Sequence, residues 1–211
     1  MSKLIDIILE KIKRDVFSDS DLEVVLKGSD DGRFGLVKRA LKKNELIKIR
    51  RGLYCLSPKY QRYGIDLFAI AHQIYGPSYV SLESALSYHG FIPEEVITTT
   101  SVSSKRSKLF ETPLGTFSFS KISFPQVFEG VTREKKSSGT VLIATPEKAL
   151  LDYIYVYKKD WNSIEPLVES LRIEPEQIAV LSFKKLKKIS KVFKSRKVDT
   201  FIEGIKKKVS L

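Results

Sequence analysis

The first sixty residues change from a helical to a strand-like pattern of apolar positions. Apolar residues at helical spacing predict three helices, over about residues 4–12, 20–27 and 32–44. After the third helix the pattern alternates, which predicts strands at 46–50 and 53–56 joined by a tight turn. Three short helices followed by a hairpin are typical of a winged helix-turn-helix domain.

The third predicted helix and the hairpin both carry positive charge beside their apolar residues. In a winged helix-turn-helix domain, this helix enters the major groove of double-stranded DNA, and the hairpin contacts the backbone or the minor groove. A protein-interaction module with a solvated basic face is the alternative for this unit. The candidate DNA-binding residues, on the helix face opposite the apolar one and on the hairpin, are Arg33, Lys38, Arg39, Lys42, Lys48, Arg50 and Arg51.

The middle of the chain, residues 61–182, mixes helical and strand patterns and predicts an α+β region. A threonine, a proline and a glutamate at positions 145–147 are typical of a helix start, with the threonine as N-cap. A basic cluster at 105–108 could touch phosphate or belong to a solvated loop. The predicted helices are 65–74, 78–90 and 147–157, and the predicted strands are 96–102, 115–119, 121–124 and 140–144.

The end of the chain, residues 183–211, places apolar residues at helical spacing between lysines. This pattern predicts two amphipathic helices that pack on the middle region, the second over about 198–209. Their lysines are consistent with phosphate contacts, with an acidic partner or with a solvated face. The candidate secondary phosphate contacts are Lys187, Lys188, Lys191 and Lys194.

Charge is unevenly distributed along the chain, whose formal net charge is +12. Residues 1–60 hold 14 basic and 9 acidic residues, 61–182 hold 12 and 14, and 183–211 hold 11 and 2. Such basic ends favour a polyanionic partner, nucleic acid first. We therefore expect a winged helix-turn-helix domain at 1–60 and an α+β domain at 61–211, with 183–211 as its lysine-rich helical tail.

Several classes of protein are disfavoured by residues that the chain lacks. One cysteine, Cys55, and two histidines leave no disulfide framework and no zinc motif, and we expect no metal or cofactor. The N-terminus is amphipathic, not a signal peptide, and no apolar run approaches the roughly 18 residues that cross a bilayer. A cytoplasmic protein without a membrane partner is the expectation.

Catalytic chemistry has little support in the sequence, and we expect that the protein is not an enzyme. There is no Walker-type loop, and Glu83 and His89 are six positions apart on one predicted helix, which places them on different faces. The alternative is a DNA-processing enzyme that a winged helix delivers to DNA. It would need a carboxylate cluster for metal, for which Glu83, Glu147 and Asp152 are candidates by residue type alone.

Three motifs in order give the chain a family resemblance. They are the R-x-G-x-Y pattern within residues 49–54, the helical segment 78–90 followed by Ile92-Pro93, and the segment 144–152. Over about residues 1–157 the chain resembles the AbiEi-type antitoxins of bacterial abortive-infection (type IV toxin–antitoxin) systems. Its lysine-rich end, from Phe183, is more basic than the family pattern requires.

The resemblance implies both a fold and a function. Such proteins have an N-terminal winged helix and a C-terminal antitoxin domain, and they are not known as enzymes. They bind inverted repeats at their own promoter and repress it. They also oppose a cognate nucleotidyltransferase-like toxin, in some members without forming a stable complex with it.

Overall fold

The computed structural model describes residues 2–206 and has a mixed α+β fold. The first unit combines three helices with a three-stranded antiparallel sheet of order β1-β3-β2. This is the winged helix-turn-helix-like arrangement predicted from the sequence. Its elements are α1 (Lys3–Lys11), β1 (Val16–Ser18), α2 (Asp19–Val25), α3 (Asp30–Lys42), β2 (Leu46–Arg50) and β3 (Leu53–Leu56).

Serine caps define where the second and third helices begin. The Ser18 hydroxyl accepts from the Asp21 N–H, and the Asp21 side chain accepts from the Ser18 N–H, so α2 starts with a capping box. The Ser29 hydroxyl accepts from the Gly32 N–H at the start of α3. Both helices therefore begin slightly earlier than their apolar periodicity predicts.

The second unit is built on a six-stranded mixed sheet of order β6-β7-β5-β4-β9-β8. The β4–β9 and β5–β7 pairs are parallel, and the other neighbours are antiparallel. A short 3-10 helix (Pro58–Tyr60) precedes this unit. Its strands are β4 (Ser78–Val80), β5 (Thr99–Ser103), β6 (Lys108–Thr112), β7 (Gly115–Lys121), β8 (Val131–Lys136) and β9 (Gly139–Ala144). Its helices are α4 (Leu67–Ile74), α5 (Leu82–Tyr88), α6 (Pro146–Val156), α7 (Glu165–Leu171), α8 (Pro175–Ala179), α9 (Phe183–Phe193) and α10 (Arg196–Ile205).

The predicted helix over 78–90 was wrong in its first part. Only Leu82–Tyr88 is helical, whereas Ser78–Val80 forms a central strand. Tyr79 and Val80 are buried between β5 and β9, and this long-range pairing overrides the local helical pattern. The strand predicted at 121–124 was also wrong beyond Lys121, where β7 ends.

The C-terminal helices confirm the amphipathic pattern of the tail. Helices α9 and α10 bury Phe183, Leu186, Phe193, Phe201 and Ile205, and α9 packs against α6. Positions 207–209 of the predicted second helix lie outside the described residues. No helix within residues 2–206 is both long and apolar enough to cross a membrane.

The two units share their hydrophobic packing at the three-stranded sheet. One face of this sheet, with Phe17 and Leu56, packs on the helices of the first unit. The other face, with Val16, Ile49 and Leu53, belongs to the core of the second unit. A sheet buried on both faces fixes the first unit against the second.

Candidate nucleic-acid interface

Helix α3 presents a row of unpaired cations, which we call the α3 basic face: Lys38, Arg39 and Lys42. All three side chains are exposed, whereas Val37 and Ala40 point into the core. Among the residues that the structure describes, none of these cations has an ion-pair partner. The α3 basic face can therefore meet phosphates or guanine edges without first breaking an internal contact.

Arg33 does not lie on that face, contrary to the sequence prediction. Four residues before Val37, it shares the inward side of the helix, and its side chain is only 17% exposed. Its guanidinium pairs with Asp30, lies 3.8 Å from Glu23 and donates to the Gly28 carbonyl at 3.2 Å. Arg33 thus ties α3 to the preceding turn and to α2.

Phe34 is a surface residue that the sequence reasoning missed. Its side chain is 55% exposed and lies one helical turn before Lys38, at the margin of the α3 basic face. An aromatic ring here could contact a thymine methyl group in the major groove. No clear signal of this exposure is present in the sequence, because the helical period places Phe34 at the edge of the apolar stripe, three positions before Val37.

The hairpin is short and is held at its tip. The Gly52 carbonyl accepts from the Asp19 N–H at 3.1 Å, and Leu53, just after the turn, already pairs with Ser18. Arg50 donates to the Gln73 carbonyl at 3.0 Å, which joins the hairpin to α4. Lys48 and Arg51 remain exposed and without an ion pair among the described residues, so they are the hairpin cations free to meet DNA.

The candidate phosphate contacts of the tail lie on the outer side of α9 and at its end. Lys188 pairs with Glu129 at 2.7 Å. Lys187, Lys191 and Lys194 are exposed and have no ion pair within the described part of the chain. These three cations stay available to a polyanion.

The candidate carboxylates of the enzyme alternative are each engaged elsewhere. Asp152 is fully buried, and it accepts from Lys148 at 2.6 Å, Ser81 at 2.7 Å and Tyr79 at 2.9 Å. Burial raises the pKa of its carboxyl above the ordinary value, and the Lys148 ammonium opposes that rise. Three donors around a fully buried carboxylate make this a structural network without an open face for substrate.

Glu83, Glu147 and His89 also have separate partners. Glu147 is buried and accepts from the Ser182 N–H at 3.3 Å, whereas Glu83 accepts from the Tyr157 hydroxyl at 3.2 Å. The His89 ring contacts the Ala144 carbonyl at 2.8 Å. Within residues 2–206, no group of three or more His, Cys, Asp and Glu side chains is placed to hold a metal ion.

The fold defines a class of protein, a winged helix-turn-helix-like unit fixed to an α+β domain with a mixed sheet. Its fold is similar to that of the RV2827C protein from Mycobacterium tuberculosis, known from a crystal structure, with a TM-score of 0.62 and 12% sequence identity. The match covers 97% of this chain and 78% of that one. Protein-family models and curated proteins give no match.

Proposed function

We propose that this protein is a DNA-binding transcriptional autorepressor and the antitoxin of a type IV toxin–antitoxin pair. The observation that carries the DNA-binding half is the α3 basic face, with its exposed and unpaired cations on the third helix of a winged helix-turn-helix-like unit. The expected DNA target is double-stranded, an inverted repeat in the protein's own promoter.

Contacts between the family-like motifs support the antitoxin half of the proposal. The Tyr79 and Ser81 hydroxyls, from the 78–90 motif, donate to Asp152, from the 144–152 motif. The first motif forms the hairpin, whose Arg50 reaches α4. Two of the three motifs thus hold each other in place, as expected if they specify a shared domain architecture, whereas Arg50 of the first motif contacts Gln73, which lies outside the other two.

Anisotropy titration of a labelled duplex from the upstream region tests DNA binding. We expect the Lys38→Ala/Arg39→Ala variant to bind at least about tenfold more weakly, because two charge-assisted contacts are lost. Between about 50 and 200 mM salt, the slope of its log binding constant against log salt concentration should be shallower than that of the wild type by about 2. Lys3→Ala/Lys11→Ala, which removes equal charge from exposed sites on α1, is the matched control. Equal binding by the α3 variant and the wild type would refute the assignment.

Co-expression tests the antitoxin role. If a nucleotidyltransferase-like toxin is encoded next to this gene, we expect the full chain to restore growth to cells that express the toxin. The Lys38→Ala/Arg39→Ala variant, expressed from a foreign promoter, should rescue equally, because its second unit is intact. Failure of the wild-type chain to rescue would remove the antitoxin half and leave the DNA-binding half standing.

The proposed action is not enzymatic. Asp152, Glu147 and Glu83 have separate structural partners. We expect the purified chain with Mg²⁺ neither to cleave DNA nor to transfer nucleotides. Magnesium-dependent activity that Asp152→Asn abolishes, in a variant that still folds, would favour the enzyme alternative.

A further inference from the structure

A basic cavity lies in the second unit, formed by none of the first sixty residues. It is a cleft open to solvent, with a volume of about 520 Å³, where the end of β7, the end of α6 and the start of α10 meet. Segments far apart in the sequence supply its cations, which are Lys121, Lys158, Arg196 and Lys197. Ser107, from the basic cluster at 105–108, also lines it.

Hydrogen bonds hold the walls of this cavity in place. The Lys121 N–H donates to the Ser107 hydroxyl at 2.9 Å, which joins the 105–108 loop to the end of β7. On the opposite side, the Lys197 ammonium donates to the Lys158 carbonyl at 2.7 Å and to Asp160 at 2.6 Å. Lys197 thereby fixes the turn after α6 against the start of α10.

Of the four cations of the cavity, only Lys197 has an ion-pair partner among the described residues, which is Asp160. Lys121, Lys158 and Arg196 are exposed and lack ion pairs among residues 2–206, and the described lining includes no carboxylate. Like charges that converge on one concave site repel each other and disfavour the compact state. A bound anion would relieve that repulsion.

The remaining lining matches a phosphorylated organic molecule better than a simple ion. The Ser120 and Ser195 hydroxyls add hydrogen-bond donors beside the cations, while Tyr155 and Val156 supply an apolar wall. A volume near 520 Å³ lies within the range of ligand pockets, roughly 300–1,000 Å³. Cations, hydroxyls and one apolar wall are the recognition elements of a phosphate with an attached ring system.

We infer that this cavity binds a phosphate-bearing ligand of nucleotide size, through Lys121, Lys158 and Arg196. Two sources offer the same chemistry, a free nucleotide and the phosphorylated end of a nucleic-acid strand. The inference is separate from the proposed DNA contact of α3, and either can fail without the other.

Calorimetric titration of the full chain tests the inference. The probes are ATP, inorganic triphosphate, adenosine, and a short oligonucleotide with either a 5′-phosphate or a 5′-hydroxyl end. Saturable binding of ATP that is tighter than that of triphosphate, with no binding of adenosine, supports a free nucleotide. Equal affinities for ATP and triphosphate would mean that only phosphates are bound and would refute nucleotide recognition. Binding of the 5′-phosphorylated oligonucleotide alone supports a strand end. Absence of saturable binding by every phosphorylated probe would overturn the inference.

Matched variants separate the cavity from general positive charge. We expect Lys121→Ala/Arg196→Ala to weaken binding at least about tenfold, because two charge-assisted contacts are lost. Lys3→Ala/Lys11→Ala, which removes equal charge from exposed sites on α1, should bind as the wild type does. A circular dichroism melt shows whether each variant is folded. An equal loss in both variants would mean nonspecific attraction and would refute the site.

Discussion

Lys148 and Asp152 show at the residue scale how a buried polar pair depends on its surroundings. Both are fully buried, and the Lys148 ammonium also lies 4.4 Å from the centre of the Phe193 ring in α9. The pair thus connects α6 with the β4–α5 junction and with the tail. Removing one partner from such a pair leaves an uncompensated buried charge, whereas an exposed pair is worth little.

We therefore expect Lys148→Met to lower the free energy of unfolding by about 3–5 kcal/mol, since Asp152 would lose its counter-ion in a dry site. The control is Lys188→Met, in the pair with Glu129, where the lysine side chain is 74% exposed. That change should lower the free energy of unfolding by at most about 1 kcal/mol. Urea denaturation measures both, and similar losses would contradict the structural role of the buried pair.

His72 on α4 is expected to make the free energy of unfolding depend on pH. Burial lowers the pKa of this histidine below its ordinary value, and the nearby Arg133 charge lowers it further. Below pH 6.5, the ordinary histidine pKa, the unfolded chain binds a proton that the folded chain resists. The free energy of unfolding should then fall as the pH drops below 6.5, toward the lowered pKa of the folded state. In His72→Gln that fall should be smaller, and an unchanged slope in urea titrations at several pH values would contradict the assignment.

Elements with strong local signals were the ones that the sequence predicted. Helix α3, the β2–β3 hairpin and the start of α6 carry caps, turns or clear periodicity, and the structure confirms them. Strand β4 was mistaken for helix because its partners β5 and β9 are distant in the chain. The edge strands β6 and β8 were missed because their exposed and charged side chains hide the alternation.

The two candidate binding surfaces also differ in how far the sequence could predict them. The helical period was enough to predict the α3 basic face. Arg33 was wrongly included in it, because its side chain lies on the inward side of the helix. The basic cavity could not be predicted, since tertiary packing alone brings Ser107, Lys121, Lys158 and Arg196 together. The spacing of apolar and charged residues within one segment does not show which distant segments will pack together.

At the element scale, the close packing of α9 against the start of β8 depends on Gly130, the residue just before that strand. Its φ is +80°, and a Cβ there would lie 2.8 Å from Ile189 and 3.0 Å from Lys148. We expect Gly130→Ala to lower the free energy of unfolding by about 2–4 kcal/mol, from backbone strain and overpacking. Gly64→Ala is the control, because its φ of +75° is similar but no atom lies within 4 Å of a Cβ placed there. A thermal melt should show the larger loss for Gly130→Ala, and equal losses would mean that the contact with α9 is unimportant.

At the scale of the whole molecule, the three-stranded sheet packs against both units and holds them in a fixed relative position. Asp15 accepts from the Arg62 and Tyr63 N–H groups, and Arg62 donates to the Ile12 carbonyl at 2.8 Å. The segment that connects the two units is therefore hydrogen-bonded to the first unit and is not a free linker. The α3 basic face is thus presented in one orientation relative to the second unit. On the proposed inverted-repeat target, the two half-sites would set the spacing of two such molecules.

This coupling predicts that the two units unfold together. Leu4 is 2% exposed in the core of the first unit, and Leu4→Ala should lower the free energy of unfolding by about 2–5 kcal/mol. Trp161, the only tryptophan, stacks on Tyr153 in the second unit and reports on that unit by fluorescence. We expect Leu4→Ala to shift the urea midpoint of Trp161 fluorescence and the loss of amide protection in α3 equally, because shared packing at Ile49 and Leu53 transmits the defect. The control, Glu10→Ala at an exposed site on the same helix, should shift neither. If α3 lost protection at lower urea while Trp161 kept its wild-type midpoint, the units would be independent, and the orientation of the α3 basic face would not be fixed by the second unit.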